Sequence, residues 1–202
     1  MKTGPPFDTH KTGFVALIQE LNRQSCSDGL VTLGDAVDQA GVRMHGAAIL
    51  LMALPECLPL PIPSLGAILG VPLIAVSAHL VLYGEQGDLP AHARKIAIPF
   101  RMIQIMSRYL IGPLRFVERI SQQRLEKLVS FERFIGTLCL LMSLLLLLPI
   151  PLMNAPPAIA LVCLSWGLVQ RDGLFVSVGI VISIAIVLSL FAIAERIASL
   201  LS

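Results

Sequence analysis

Charge is scarce in this chain of 202 residues: 14% of them are Asp, Glu, Lys or Arg, against 55% apolar, and mean hydropathy is +0.82. A soluble domain carries about 25% charged residues. A chain this poor in charge cannot cover a water-facing surface, so its composition implies an integral membrane protein. Cysteine is equally sparse. Cys26, Cys57, Cys139 and Cys163 form no CxxC pair, and three of them lie in apolar segments, where they read as packed, reduced thiols. No His/Cys/Asp/Glu cluster has metal-ligand spacing, so no metal is expected. The chain also lacks GxSxG, Walker A, HExxH and dinucleotide-binding signatures, and no nucleophile stands beside an evident base. No residue argues for an enzyme, and no cofactor is expected. A secretory leader is not visible either. Residues 1–13 are polar with Gly, Pro and Lys and read as a flexible tail, which leaves insertion to the first apolar segment.

The charge that is present is concentrated. Nine of the fifteen basic residues lie from Arg94 to Arg133, opposed there by Glu118, Glu126 and Glu132. The positive-inside rule makes this stretch cytoplasmic. With few aromatics between the basic residues and apolar segments on both sides, it does not read as a nucleic-acid site.

Around it the chain reads as a single membrane domain over residues 14–202. Residues 14–24 place Phe14, Leu17, Ile18 and Leu21 on one helical face, and a second amphipathic helix starts at the capping box Thr32-Leu33-Gly34-Asp35. Residues 44–83 are almost wholly apolar, but Pro55, Pro59, Pro61 and Pro63 interrupt them. Proline lacks an N–H and clashes with the preceding turn, so this segment is not one helix. It divides into arms of about Met44–Leu54 and Leu65–Tyr83. Residues 96–112 are apolar with Arg101, Gln104 and Arg108 on one stripe, which suits an interfacial helix or a span with a protected polar face. Residues 114–131 are amphipathic and basic. Residues 134–169 are again two apolar arms, separated by Pro149, Pro151, Pro156 and Pro157. Residues 174–194 form the cleanest spanning helix, ended by Glu195 and Arg196.

The two broken segments resemble each other. Arg43, Gly46 and Leu50-Leu51-Met52 match Arg133, Gly136 and Leu140-Leu141-Met142 at one offset. Leu60-Pro61-Ile62-Pro63 then matches Leu148-Pro149-Ile150-Pro151 after a slip of two. Duplication is therefore expected, with repeat 1 over about 14–90 and repeat 2 over about 91–173. Lipid cannot satisfy the backbone groups that such breaks free, so the breaks must be buried in protein or line a wet cavity. The expected fold is all-α: two Pro-broken, re-entrant helical hairpins related by pseudo-symmetry, plus amphipathic helices and a final transmembrane helix. If residues 96–112 cross the membrane the repeats are inverted; if they lie flat the repeats are parallel. The inverted form is the expectation carried forward.

Candidate polar sites cluster at the breaks and arm ends. Glu56 is an acid in an apolar run, where acids mark ion or proton sites or else reach the far interface. His45 and His79 end opposite arms of the first hairpin, as titratable groups or as interface residues. Asn154 is placed to cap the arm that follows it. Arg43 and Arg133 anchor helix ends at headgroups or pair with acids such as Asp172.

These features resemble the exopolysaccharide synthesis ExoD family of bacterial membrane proteins. The resemblance is carried by Val31-Thr32-Leu33-Gly34, Leu54-Pro55 with Leu58-Pro59-Leu60-Pro61-Ile62-Pro63, Gly70-Val71-Pro72-Leu73, Leu148-Pro149-Ile150-Pro151, Asn154 with Pro156, and Arg171-Asp172-Gly173. Asp88-Leu89-Pro90 departs from the family's Trp-Leu-Pro. The resemblance implies a multi-pass protein of the bacterial inner membrane, linked to exopolysaccharide synthesis or secretion. It leaves open a transporter- or channel-like role or a non-transporting scaffold. The expected partners are the lipid bilayer, a second copy in a homodimer, and polysaccharide-synthesis components.

Overall fold

The computed structural model describes residues 13–28, 31–40, 43–57, 65–148 and 154–201. It is all-α apart from one two-stranded ladder. The elements are α1 (Phe14–Asp28), β1 (Val31–Thr32), α2 (Leu33–Ala40), α3 (Met44–Ala53), α4 (Leu65–Tyr83), α5 (Ala91–Arg94), β2 (Ala97–Ile98), α6 (Phe100–Ile105), α7 (Ile111–Ile120), α8 (Glu126–Val129), α9 (Glu132–Leu147), α10 (Ala155–Gln170) and α11 (Gly173–Leu201). A 3-10 turn, Leu54–Cys57, continues α3, and a π-turn, Met106–Leu110, joins α6 to α7.

The arms expected from the sequence are α3, α4, α9 and α10, and they form a four-helix bundle. Every residue of α3 from His45 to Ala53 is buried, so α3 is the central helix. Two glycines show which helix ends of the bundle meet. A Cβ on Gly46 would stand 3.2 Å from Leu168 and Val169 side-chain atoms, and one on Gly136 would stand 3.0 Å from the Val81 backbone nitrogen. The start of α3 thus lies against the end of α10, and the start of α9 against the end of α4. At the other end Gly70 of α4 meets Leu147 of α9. Both hairpins therefore open at the same end of the bundle, here called the base. This corrects the expectation of inverted repeats, because inverted hairpins would open at opposite ends.

The middle segment between the hairpins leaves from the base and returns to it, since the end of α4 and the start of α9 lie together. Met102, Ile103, Met106, Leu110 and Leu114 are buried along one side of α6–α7, which packs against α1, while Arg108, Arg115 and Arg119 face outward. The helix carries Pro113, which has no N–H for the preceding turn, and the π-turn immediately before it accommodates that loss.

The prolines divide by position. Pro55 lies buried in the 3-10 turn that ends the first arm. Pro156 and Pro157 are corrected from breaks to helix starters. They occupy the first turn of α10, where an N–H has no helical partner anyway. Pro59, Pro61, Pro63, Pro149 and Pro151 lie outside the described residues.

Beside the base, α1, α2, α5 and α6–α7 form a layer. β1 pairs antiparallel with β2, Val31 opposite Ile98. The capping box forms as expected: Thr32 N and Oγ1 donate to Asp35 Oδ2 at 2.9 and 2.6 Å, and Asp35 N donates to Thr32 Oγ1 at 3.2 Å. Asp35→Ala should cost about 1 kcal/mol, read as a lower midpoint in denaturant titration in micelles. An unchanged midpoint would mean that α2 is held by its packing alone. Phe14 meets Trp166 of α10 edge-on at 6.1 Å, which docks this layer on the bundle.

Helix α11 starts at the base and packs its first half on α10. From Phe191 to Leu200 every side chain is exposed, Phe191 at 65%. Among the described residues it is the one helix long and apolar enough to cross a membrane. The outer sides of α9 and α11 are apolar too, with Leu141, Leu144, Leu148, Val181, Ile184 and Leu188 exposed. An apolar face of this extent marks a surface for contact with lipid or with another protein.

Candidate functional site

The buried ionisable groups His45, Glu85 and Asp172 collect at the base of the bundle. The first cause is local: α3 begins inside the protein, and the first N–H groups of a helix have no intrahelical partner. Ala47 N already bonds Arg43 O at 3.1 Å. The next two are met by a carboxylate from a distant part of the chain. Glu85 Oε1 accepts Gly46 N at 2.8 Å, and Oε2 accepts His45 N at 3.2 Å. A negative charge there also favours the positive end of the helix dipole. Glu85 reaches this position because α4 ends at Gly84 with φ +71°, the left-handed conformation that glycine adopts without a Cβ penalty. Glu85 N in turn donates to Glu132 Oε2 of α9 at 2.9 Å, tying the two hairpins together.

Two imidazoles complete the cluster. His45 is wholly buried, and its Nε2 lies 2.9 Å from His79 Nδ1 of α4. Its Nδ1 has no hydrogen-bond partner among the described residues and lies 3.7 Å from Glu85 Oε2. His79 is less buried and packs on the Tyr83 ring, centroids 4.4 Å apart. Arg43 donates through Nη1 to Val169 O at the end of α10. Burial holds its guanidinium below the ordinary arginine range, Arg171 adds to that shift, and Glu85 opposes it.

Asp172 holds a second carboxylate site at the base. It is buried and precedes α11. Its Oδ1 accepts Leu174 N at 3.1 Å, and its Oδ2 accepts Gln122 N at 3.0 Å and Ser121 Oγ at 3.1 Å. The residue before it, Arg171, is again left-handed at φ 54°.

The residues expected from the sequence thus fall into two groups. Arg43 and Asp172 are at the base, but they do not pair. Arg43 serves a helix C-terminus, and Asp172 starts a helix. Arg133 is exposed near the start of α9, and the contacts described for it are those of its carbonyl, which accepts Thr137 Oγ1. Glu56 and Asn154 sit at the opposite end of the bundle. Glu56 is half-buried in the 3-10 turn, with Oε1 buried and without a partner among the described residues. Asn154 occupies the capping position of α10 as expected, yet its side chain makes no cap bond; its carbonyl accepts Ala158 N. Glu85 and Glu132 were missed. The signal available was the pairing of each with an arm end: Gly84-Glu85 closes α4, and Glu132 opens α9.

No group of three or more His, Cys, Asp and Glu side chains suited to a metal occurs among the described residues. The arrangement is suited instead to holding charge and protons inside a low-dielectric bundle.

Sequence comparison places these features in a family. The family model described as "Exopolysaccharide synthesis, ExoD" matches residues 14–192. Protein ExoD of Rhizobium meliloti (strain 1021) is 29% identical over 164 residues, covering 74% of this chain and 64% of that protein. An uncharacterized protein of Synechocystis sp. is 26% identical over 153 residues, covering 74% of this chain and 72% of its own length. No solved structure matches significantly.

Proposed function

Because the chain belongs to the ExoD exopolysaccharide-synthesis family, we propose that it is a multi-pass protein of the bacterial inner membrane that supports exopolysaccharide production or secretion through a transport-like site between two duplicated hairpins. The observation that carries this reading is the polar base, with His45 and Glu85 buried and Arg43 half-buried at one end of a bundle whose flanks are apolar. Ionisable groups at such positions are costly, and they ordinarily mark pathways for ions or protons.

Duplication is supported by equivalent packing. Gly46 and Gly136 share the repeat offset, and each receives the last turns of the other hairpin's second helix. Those second helices both close on a left-handed residue followed by a carboxylate, Gly84-Glu85 and Arg171-Asp172. In this reading the repeats are related by an axis along the bundle. The arms are short: α9 and α10 have 16 residues each, about 24 Å of helix. That is less than the roughly 30 Å hydrocarbon core. We therefore place both hairpins as re-entrant from the cytoplasmic side, where the basic residues around the base belong, with α11 crossing outward. The hairpins alone leave a single copy little room for a pathway, so a homodimer belongs to the proposal.

The test is ion flux into proteoliposomes, with a panel of monovalent cations and protons, alongside exopolysaccharide yield in a strain lacking the protein. Purified protein should raise flux above protein-free vesicles, and Glu56→Gln and His79→Gln should show which end of the bundle controls it. Flux equal to that of empty vesicles for the whole panel, with yield restored in the cell, would sink the transport reading.

That outcome would leave the scaffold reading, which one observation favours. The outward face of α6–α7 alternates Arg108, Arg115 and Arg119 with exposed Tyr109, Phe116 and Ile120. Such a face suits anionic headgroups or an acidic partner, and pull-down from native membranes should then recover synthase components reproducibly.

A further inference from the structure

We infer that His45 and His79, held against Glu85, form a binding site for one proton, which makes the proton the ion handled at the base; this rests on the transport-like reading of the same cluster. Two neutral imidazoles carry one ring proton each. His45 Nε2 and His79 Nδ1, 2.9 Å apart, must share one of those protons as donor and acceptor. If His79 donates, the proton of His45 sits on Nδ1, the buried atom that faces Glu85 Oε2 at 3.7 Å and has no other partner. His79 Nε2 is then bare, on the less buried ring of the pair.

The uptake step balances. A proton from water forms an N–H bond at His79 Nε2. The N–H at His79 Nδ1 breaks and re-forms at His45 Nε2. His45 is left as an imidazolium against the Glu85 carboxylate, whose two oxygens already accept the N–H groups of His45 and Gly46. The charge therefore moves from the half-buried ring to the buried one without any large motion. A second proton would place two cations 2.9 Å apart, so the capacity is one.

The surrounding charges set how tightly it binds. Arg43 and Arg171 oppose added positive charge from the α3 and α10 sides. Glu132 of α9 supports it through the Glu85 backbone bond, and Asp88 supports it beside His79. The Cys139 thiol of α9 is a buried neighbour of Glu85, and the Tyr83 ring covers His79. Because Glu85 also caps α3 and bonds α9, proton occupancy acts directly on the junction of the two hairpins.

The experiment uses the full chain in lipid nanodiscs with ¹⁵N-labelled histidine. The chain has four histidines, and single His→Gln variants assign the signals. Between pH 5 and 8 the His45 and His79 signals should move together and account for uptake of one proton. Glu85→Gln should lower the midpoint, because it removes the negative charge facing the imidazolium. Two independent titrations totalling two protons overturn the proposal, as does a midpoint unmoved by Glu85→Gln. The stoichiometry on the unmodified protein decides the matter even if Glu85→Gln fails to fold. A coupled one-proton titration without proteoliposome flux would uphold the site and sink the transport reading. Proton flux with independent titrations would do the reverse.

Discussion

Asp172→Ala is expected to lower unfolding free energy by about 3–4 kcal/mol. Asp172 is 2% exposed and serves Ser121, Gln122 N and Leu174 N. Removing it takes the shared carboxylate acceptor from two backbone N–H groups and a hydroxyl at a part-buried junction. Hydrogen bonds to a charged group contribute about 1.5–3 kcal/mol each when well shielded and less where water can replace them, and the loss of a helix cap adds about 1 kcal/mol. Asp172→Asn keeps one carbonyl acceptor and should lose about half as much. Denaturant titration in detergent micelles reads the difference. Hydrogen exchange should show Gln122 N and Leu174 N opening first, because Asp172 is what ties residues 121–122 to the start of α11. A change under 1 kcal/mol for the alanine variant would show that other groups carry this junction.

The second large effect is expected at Gly167→Val. A Cβ at Gly167 would lie 2.4 Å from Val176 Cγ2, 2.8 Å from Val176 N and 2.9 Å from Asp172 O. Two of those three atoms are backbone, so no rotamer change relieves the clash and α11 itself must move. Gly179 repeats the arrangement from the other helix, 3.0 Å from Leu164 N. Close backbone approach through small residues is how helices associate in lipid, where no hydrophobic force separates helix from tail. Overpacking of this kind costs about 3 kcal/mol or more. Cysteine labelling on the buried side of α11 should rise with it. Gly112→Ala is the control, because a Cβ there meets nothing within 4 Å, and a gain of up to about 1 kcal/mol is expected from helix propensity. If both variants behave alike, the α10–α11 contact is not set by Gly167.

The amphipathic helices illustrate what is legible locally. Phe14, Leu17, Ile18 and Leu21 are spaced for one helical face, and all four are buried in α1, together with Val15 and Ser25. The Thr32–Asp35 box needs only four consecutive residues, and it forms. The arm from Leu65 to Tyr83 is bounded by composition alone and coincides with α4. Pro156 and Pro157 were misread because a proline's effect depends on its position in the turn. The pattern shows that helix is interrupted nearby, not on which side of the interruption each proline stands.

The polar base was only half legible. His45, Arg43 and Asp172 stand out in an apolar chain, but their partners are 40 to 126 residues away, as with His45–Glu85 and Arg43–Val169. Glu85 and Glu132 look like ordinary polar residues between segments. They become buried ligands of helix ends only when the hairpins meet.

By itself the sequence determined the all-α class, the positions of the helical arms and the family, because each of these is written in composition and short-range spacing. Only the tertiary structure decided that the hairpins open at one end, and that Glu85 rather than Glu56 joins the histidines. Both depend on which helix start meets which helix end, and that choice is made by glycine contacts and unpaired N–H groups between segments far apart in the chain.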